Sequence, residues 1–475
     1  MRGALFLKIK MWTCLDNPAK TYYNDSTTFL YWEDRYMLQA GFSRVDVTPP
    51  LGVDLSGYFY RRMAKGVRDP LYVNALAIGD GTKTVILMAI DYIGIKLEPN
   101  TNIRNMIAER TGIPVSNIVL AALHQHTAPC LSNSDKGLTV LKDKLFIDVL
   151  CRKIADTAVM AVADMKPATM GSASAPVAEP IAFVRRYFAS DGSVQTNPDT
   201  DKYTLTGRCS EADNTVRLVR FHREGSNDIA LINFSTHPDV VGGEYFSADW
   251  PGFTRTYVEQ DIPGVSAIFF TGCEGDSNHV DFFKPKGGRI KFGDRYRHSQ
   301  FMGRTVADAV KSVWDSCTEL NEDGDIFGEY HVLYNRTNLE GIDEYDRYRA
   351  WYDDHNAGRL SYNPHITELA YASRIIRLRE APIFHPVPFS VIGVGGLIFF
   401  GFGGEAFTAY GEAMRALAPD KFVVCAVCAN GYEGYYPTEE AFAQGGYEAK
   451  SSLFTPTLEH EILDAARAVM QKHCI

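Results

Sequence analysis

The chain has 475 residues, 45% of them hydrophobic and 22% charged, the balance of a folded globular protein, which excludes intrinsic disorder and collagen-like or fibrous designs. Lys and Arg number 48 against 58 Asp and Glu, a net charge of −10. The basic clusters, at Arg61-Arg62 and between Lys284 and Arg297, are short and interspersed with Gly and Asp, so no nucleic-acid partner is expected. Nine scattered cysteines, an odd number, read as reduced thiols of a cytoplasmic protein and not as a disulfide framework. No apolar run reaches the ~20 residues of a membrane helix. The longest, 389–402, is broken by Gly393, Gly395 and Gly396, and Lys8 and Lys10 interrupt the only candidate for a leader segment.

In chain order, residues 1–38 lack periodicity and read as an N-terminal extension, a candidate contact for a homo-oligomer. Strands follow at 73–78 and 84–90, joined by the hairpin signal Gly79-Asp80-Gly81-Thr82. A helix is expected over 101–111, a strand over 117–123, and a long helix over 142–164 with Leu145, Val149, Ile154, Ala158 and Val162 on its buried face. Further strands are expected at 216–222, 229–235, 266–271, 389–394, 397–401 and 422–429. Helices are expected at 299–315, 345–353, 405–417 and 458–471. With 39 Gly, 22 Pro, 25 Tyr and 27 Phe, no linker tract and no internal repeat, the sequence predicts one large mixed α/β (α+β) domain over 39–475, its mixed β-sheets flanked by helices.

Four motifs each follow an apolar strand: His124-Gln125-His126-Thr127-Ala128-Pro129, His237-Pro238-Asp239, Gly403-Gly404-Glu405, and Asn430-Gly431-Tyr432-Glu433-Gly434-Tyr435-Tyr436. Strand ends form one rim of a sheet-based domain, where polar groups converge. Imidazole and carboxylate from such a rim suit Zn²⁺ with room left for water. Singly, each motif has a plain structural reading: a core histidine, a carboxylate at a helix start for Glu405, a turn residue for Asp239. Cys425 and Cys428, three apart on an expected strand, point to opposite faces and do not chelate together.

The set resembles the neutral/alkaline ceramidases, zinc amidases that cut the N-acyl bond of ceramide. The family's His-Thr-His-Ser-Gly-Pro is similar to the segment at His124, its strand-end zinc histidine to His237, and its Ser-Gly-Asp-Asn-Lys-Gly to Ser247-Ala248-Asp249-Trp250-Pro251-Gly252. Its Gly-Glu-Phe-Thr resembles Gly404-Glu405-Ala406-Phe407-Thr408 with one residue inserted. Its Ala-Asn-x-Tyr-x-x-Tyr matches Ala429 to Tyr435, and its later tyrosine lands on Tyr447. The resemblance implies a ceramidase-like fold, Zn²⁺ as cofactor, and His124, His237, Glu405 and Tyr435 as ligands, with Tyr435 open to an outer hydrogen bond instead. It implies His126, Tyr447 and Arg185, with Arg186 the alternative, as groups that polarise the substrate carbonyl. Departure of the amine needs a proton, for which His126 is the first candidate and Asp249 a partner. The family's active-centre serine falls near Ser277, one position out of register, in Gly275-Asp276-Ser277-Asn278. Neither the family's C-terminal immunoglobulin-like domain nor its export signal is expected here.

These readings lead to a zinc-dependent hydrolase cleaving a linear N-acyl amide of a small-molecule or lipid-like substrate. An esterase or lactonase on the same site and a decayed binding relative are the alternatives. The rings Tyr187, Tyr245, Phe246, Trp250, Tyr436 and Phe442 suit an apolar substrate or a core.

Overall fold

A computed structural model describes residues 38–132, 143–320 and 325–475, plus one short antiparallel pair, Tyr23–Asn24 with Thr27–Thr28. The rest of the expected 1–38 arm up to residue 37, Cys14 and the expected helix start at Lys142 lie outside the described residues. Contacts divide the chain into Met1–Met37 and Leu38–Ile475, and the second unit carries everything below.

The Gly79–Thr82 turn does what its sequence demands, pairing Tyr72–Gly79 antiparallel with Thr84–Ile90. With Gln39–Asp46 as β1, these strands are β2 and β3 of a meander. Helix α1 (Leu97–Thr111) then returns the chain to β4 (Ile118–Ala122), parallel to β3. After α2 (Lys144–Ala163) the same order recurs, with β5 (Lys166–Pro176), β6 (Thr215–Arg223) and β7 (Asp228–Phe234) antiparallel. Helix α3 (Asp249–Asp261) leads from β7 to β8 (Val265–Thr271), parallel to β7. It recurs once more after α4 (Arg295–Val313). Strand β9 (Ile326–Arg336), helices α5 (Tyr345–Asn356) and α6 (Ile366–Leu378), and strands β10 (Phe384–Val394) and β11 (Leu397–Phe402) precede α7 (Thr408–Leu417) and β12 (Phe422–Ala426), parallel to β11. Helix α8 (Leu458–Lys472) closes the chain.

The first two of these units share a nine-stranded sheet of order β4-β3-β2-β1-β5-β6-β7-β8, with Thr318–Glu319 paired to β5; the third forms a separate four-stranded sheet, β9-β10-β11-β12. This is the mixed α/β architecture expected. Alternate residues of a strand serve different cores. Ile118, Leu120 and Ala122 of β4 join a cluster with α1 and α2, whereas Val119 and Ala121 join one with β7, β8 and the second sheet. Burial on both faces is why such strands read as unbroken apolar runs.

Two expectations are corrected, and one strand was not foreseen. The buried face of α2 is Leu150, Ile154, Ala155, Thr157, Ala158 and Ala161, while Leu145 and Val149 are 82% and 50% exposed. The cause is close approach: a Cβ on Gly41 of β1 would lie 2.1 Å from the Ala161 carbonyl, so the contacting face takes small residues, not the bulkiest. Glu405 does not begin a helix; Glu405–Ala406 is a short strand, and α7 starts at Thr408. Strand β5, made of small and polar residues of low β-propensity, gave no strand signal. Among the described residues no helix is long and apolar enough to cross a membrane.

Candidate metal centre

Each parallel strand pair ends at the same place. The β4 end delivers His124 and His126, the β7 and β8 ends His237 and Glu274, and the β11 end Glu405. The turns are stitched together across units: Ala122 N–H donates to Cys428 O (3.1 Å), Val427 N–H to Thr271 O (3.1 Å), and Thr271 Oγ1 to Leu123 O (2.8 Å). Glu405 and Tyr435, thirty positions apart, are register partners in a short parallel pair. Gly275 must be glycine, since a Cβ there would lie 2.4 Å from Glu405 O. Four non-glycine residues around this junction hold positive φ: His124 (71°), Asp249 (50°), Cys428 (48°) and Asn430 (58°). Strain of this kind, on the order of 1 kcal/mol or more per residue, persists where the surroundings over-determine it.

The tautomers follow from fixed partners. His124 Nδ1 lies 2.9 Å from Ile93 O, and His237 Nδ1 lies 2.9 Å from both Glu274 O and Ser277 O. A carbonyl only accepts, so both protons sit on Nδ1 and both Nε2 atoms present lone pairs. Each Nε2 is 3.3 Å from Glu405 Oε2, a buried atom with no hydrogen-bond donor. His124, His237 and Glu405 are 1%, 0% and 2% exposed. Three acceptors facing one another out of water require a cation at their centre, either protons or a metal. With protons alone, burial pushes both imidazoles down, but Glu405 carries His124 above its ordinary value. Glu274, with Glu405, takes His237 to about 10. Burial raises Glu405, yet the two imidazoles hold it well below the usual range. The donor set, two imidazoles and a carboxylate, fits a divalent metal, and His124, His237, Glu274 and Glu405 each offer an atom within 4.8 Å of the others.

His126 Nε2 is 3.3 Å from His124 Nε2, and His126 Nδ1 is buried without a partner. Burial, then His124, pushes this imidazole well below its ordinary value. Gly57, at φ +104°, lets the chain pass where a Cβ would strike the His126 ring at 2.6 Å. Tyr58 stands edge-on to the same ring at 5.6 Å, and Arg62 binds His126 O (2.6 Å).

The two arginines divide. Arg185 turns to the centre, with Nη1 3.4 Å from His237 Nε2, Nη2 donating to Gly275 O (2.8 Å) and Nε to Glu448 (2.8 Å). Arg186 turns away to Gly445 O, Gln444 and the other oxygen of Glu448. Arg185 Cζ lies 5.3 Å from the Tyr435 ring and 5.8 Å from the Tyr447 ring, and those two rings meet edge-on at 5.4 Å. Burial raises Tyr435 far above its ordinary value and Tyr447 to about 12, so both phenols keep their protons at neutral pH.

Two expected residues have other partners. The Ser277 hydroxyl turns to Glu274 O (3.4 Å), and what Ser277 offers His237 is its backbone carbonyl. Asp249 accepts from Val241 N (2.9 Å), Trp250 N (2.7 Å) and Ser299 Oγ (2.5 Å), which anchors the loop beyond His237. The acid electrostatically linked to His126 is Asp239, paired with His279 at 3.0 Å. Burial raises it, but that hydrogen bond and the neighbouring imidazoles keep it ionised. Of the expected site rings, Trp250, Phe246 and Tyr436 are fully buried core. Glu274 and Asp239 were missed as site residues; Glu274 obeys the same strand-end rule, three residues after β8. Cys428 lies 3.7 Å from His124 Nδ1 while Cys425 faces Cys273, so the pair does not chelate, and all eight described cysteines are free thiols.

Against solved structures, the neutral ceramidase from Pseudomonas aeruginosa superposes with a TM-score of 0.66 at 15% identity, over 92% of this chain and 75% of that one. The fold is ceramidase-like. A ceramidase complexed with C2 superposes equally, with a TM-score of 0.66 at 16% identity, over 92% of this chain and 76% of that one. No protein-family model matches the chain, and no curated protein matches it.

Proposed function

We propose that the chain is a relative of the neutral ceramidases and a zinc-dependent hydrolase of linear N-acyl amides, acting on a substrate different from or smaller than ceramide. The observation that carries this is the buried meeting of His124 Nε2, His237 Nε2 and Glu405 Oε2 at 3.3 Å with no donor on the carboxylate oxygen. His124, His237 and Glu405 would hold the metal, with Tyr435 completing the set or bonding to it from outside. The chemistry such a zinc would supply is acidification of a water toward neutral pH and Lewis-acid polarisation of the carbonyl.

The remaining steps belong to the side chains. The Tyr447 phenol and the Arg185 guanidinium are donors fixed in advance for the oxygen that gains charge as the amide carbon becomes tetrahedral. Glu448 fixes Arg185 from behind. His126, held neutral at pH 7, is the group that moves a proton through its ring nitrogens to the departing amine, with Asp239 favouring its charged form in transit. An apolar acyl group is supported by Leu51, Tyr60, Met63 and Val67, exposed on the segment whose Gly57 and Tyr58 touch His126.

The test is metal content of protein purified without a metal-affinity tag. About one zinc per chain is expected in the wild type, lost in His124→Ala and His237→Ala with unchanged circular dichroism. Hydrolysis of N-acyl amides, assayed beside the matching esters, should vanish with it. A wild type that stays metal-free with zinc added overturns the reading.

A further inference from the structure

Between residues 179–183 and the segment 279–301 lies a cavity of about 40 Å³. Two buried imidazoles line it, His279 and His298, 4% and 6% exposed, with ring centroids 5.6 Å apart. Each has one nitrogen engaged: His279 Nδ1 with Asp239 Oδ1 (3.0 Å), and His298 Nδ1 as acceptor of the Lys291 backbone N–H (3.3 Å). Both Nε2 atoms are buried with no hydrogen-bond partner. Because the Lys291 amide only donates, neutral His298 carries its proton on Nε2, an unmatched donor. Asp239 accepts from His279 Nδ1, which leaves the Nε2 of that ring buried and unmatched as well.

The lining charges are unequal. Glu179 is neutralised by Lys291 (2.6 Å) and Asp281 by Arg208 (2.9 Å). Lys284 and Arg289 make no ion pair among the described residues. Lys284 Nζ stands 5.5 Å from the Phe183 ring, and Arg289 donates to Lys284 O (3.1 Å), Phe282 O (3.3 Å) and Thr200 Oγ1 (2.8 Å). Burial, then the charges of His279, Lys291 and Lys284, pushes His298 down to about 3, which keeps its single proton where the geometry puts it.

We propose that this cavity binds a phosphate group. A singly protonated phosphate carries both an O–H and free oxygens, so it meets His279 Nε2 as donor or acceptor, accepts from His298 Nε2–H, and brings negative charge to Lys284 and Arg289. A carboxylate has only two oxygens for these four groups and no proton to give at neutral pH. The volume equals that of about three waters on the scale where one water needs ~10–15 Å³, enough for a phosphoryl group and not for an acyl chain. His279 shares Asp239 with the His126 side, but the cations of the site, Lys284 and Arg289, belong to neither the metal centre nor the proposed proton path.

Inorganic phosphate and phosphoethanolamine, titrated calorimetrically into the full-length protein, test this. Binding is expected to weaken about tenfold or more in Lys284→Gln, and again in Arg289→Gln, as charge-assisted bonds are lost. Phosphate should also shift the imidazole C–H resonances of His279 and His298. Binding of inorganic phosphate alone identifies the free ion as the occupant, and binding of both identifies a phosphomonoester; either supports the site. Arg289 also holds its own loop, so Lys284→Gln, whose Nζ makes no hydrogen bond among the described residues, is decisive. No heat from either probe at tens of millimolar, or equal affinity in folded Lys284→Gln, overturns the proposal.

Discussion

Glu274 Oε2 approaches His237 Nδ1 to 2.8 Å, yet neither carboxylate oxygen is in an aligned hydrogen bond. A full negative charge behind an imidazole strengthens that imidazole as a metal ligand, and loss of such partners commonly costs ten- to a hundredfold in metal affinity. Glu274→Gln, which keeps the size and both carbonyl contacts of Nδ1, is therefore expected to lower zinc affinity by roughly that factor in chelator competition, with the fold intact. Glu448 works on the other side of the centre. Fully buried, it meets Arg185 (2.8 Å), Arg186 (3.1 Å) and Thr196 Oγ1 (2.8 Å). Glu448→Gln leaves two buried guanidinium groups uncompensated and is expected to cost about 3–5 kcal/mol in urea unfolding. Burial raises this carboxyl, but the two arginines hold it below its ordinary 4.5. A depressed carboxylate stabilises above the unfolded value and loses that contribution as pH falls through the folded one. The wild type should thus lose stability from about pH 4.5 downward more steeply than Glu448→Gln.

Elements were legible where the pattern is intrinsic and illegible where contact decides. The β2–β3 hairpin and the strands before His237 and Glu405 stand at or near their expected positions because turn chemistry and β-branched runs determine them locally. The face of α2 does not follow from hydrophobicity, since it depends on how closely Ala161 approaches Gly41. This has a measurable consequence. Ile154→Ala should destabilise by roughly 2–5 kcal/mol, while Val149→Lys should stay within about 0.5 kcal/mol of wild type, the reverse of what equal membership of one apolar stripe implies. Asp249 shows the same limit. The resemblance placed it beside the chemistry, but its oxygens are taken by Val241, Trp250 and Ser299, partners that no local pattern reveals.

Across the whole molecule, the meander, helix and parallel strand recur three times without a repeat in the sequence. Side-chain identity is free to drift in such units, whereas the strand ends must still meet. That is why the four motifs could be placed on a common rim from sequence although His124 and Glu405 are 281 positions apart (405 − 124). It would also make the proposed metal centre a clasp, since His124, His237 and Glu405 each come from a different unit. A cation binding only where all three meet stabilises the folded state by mass action, about 2.7 kcal/mol when free metal is a hundredfold above its dissociation constant. Zinc added to the chelated protein should raise the calorimetric Tm, and the rise should grow with zinc concentration. In His124→Ala the rise should be absent. In Lys284→Gln, which removes a side chain outside the His124–His237–Glu405 set, it should persist in full. A Tm that zinc leaves unmoved in the wild type would mean that the three units are held by their cores alone and that no metal joins them.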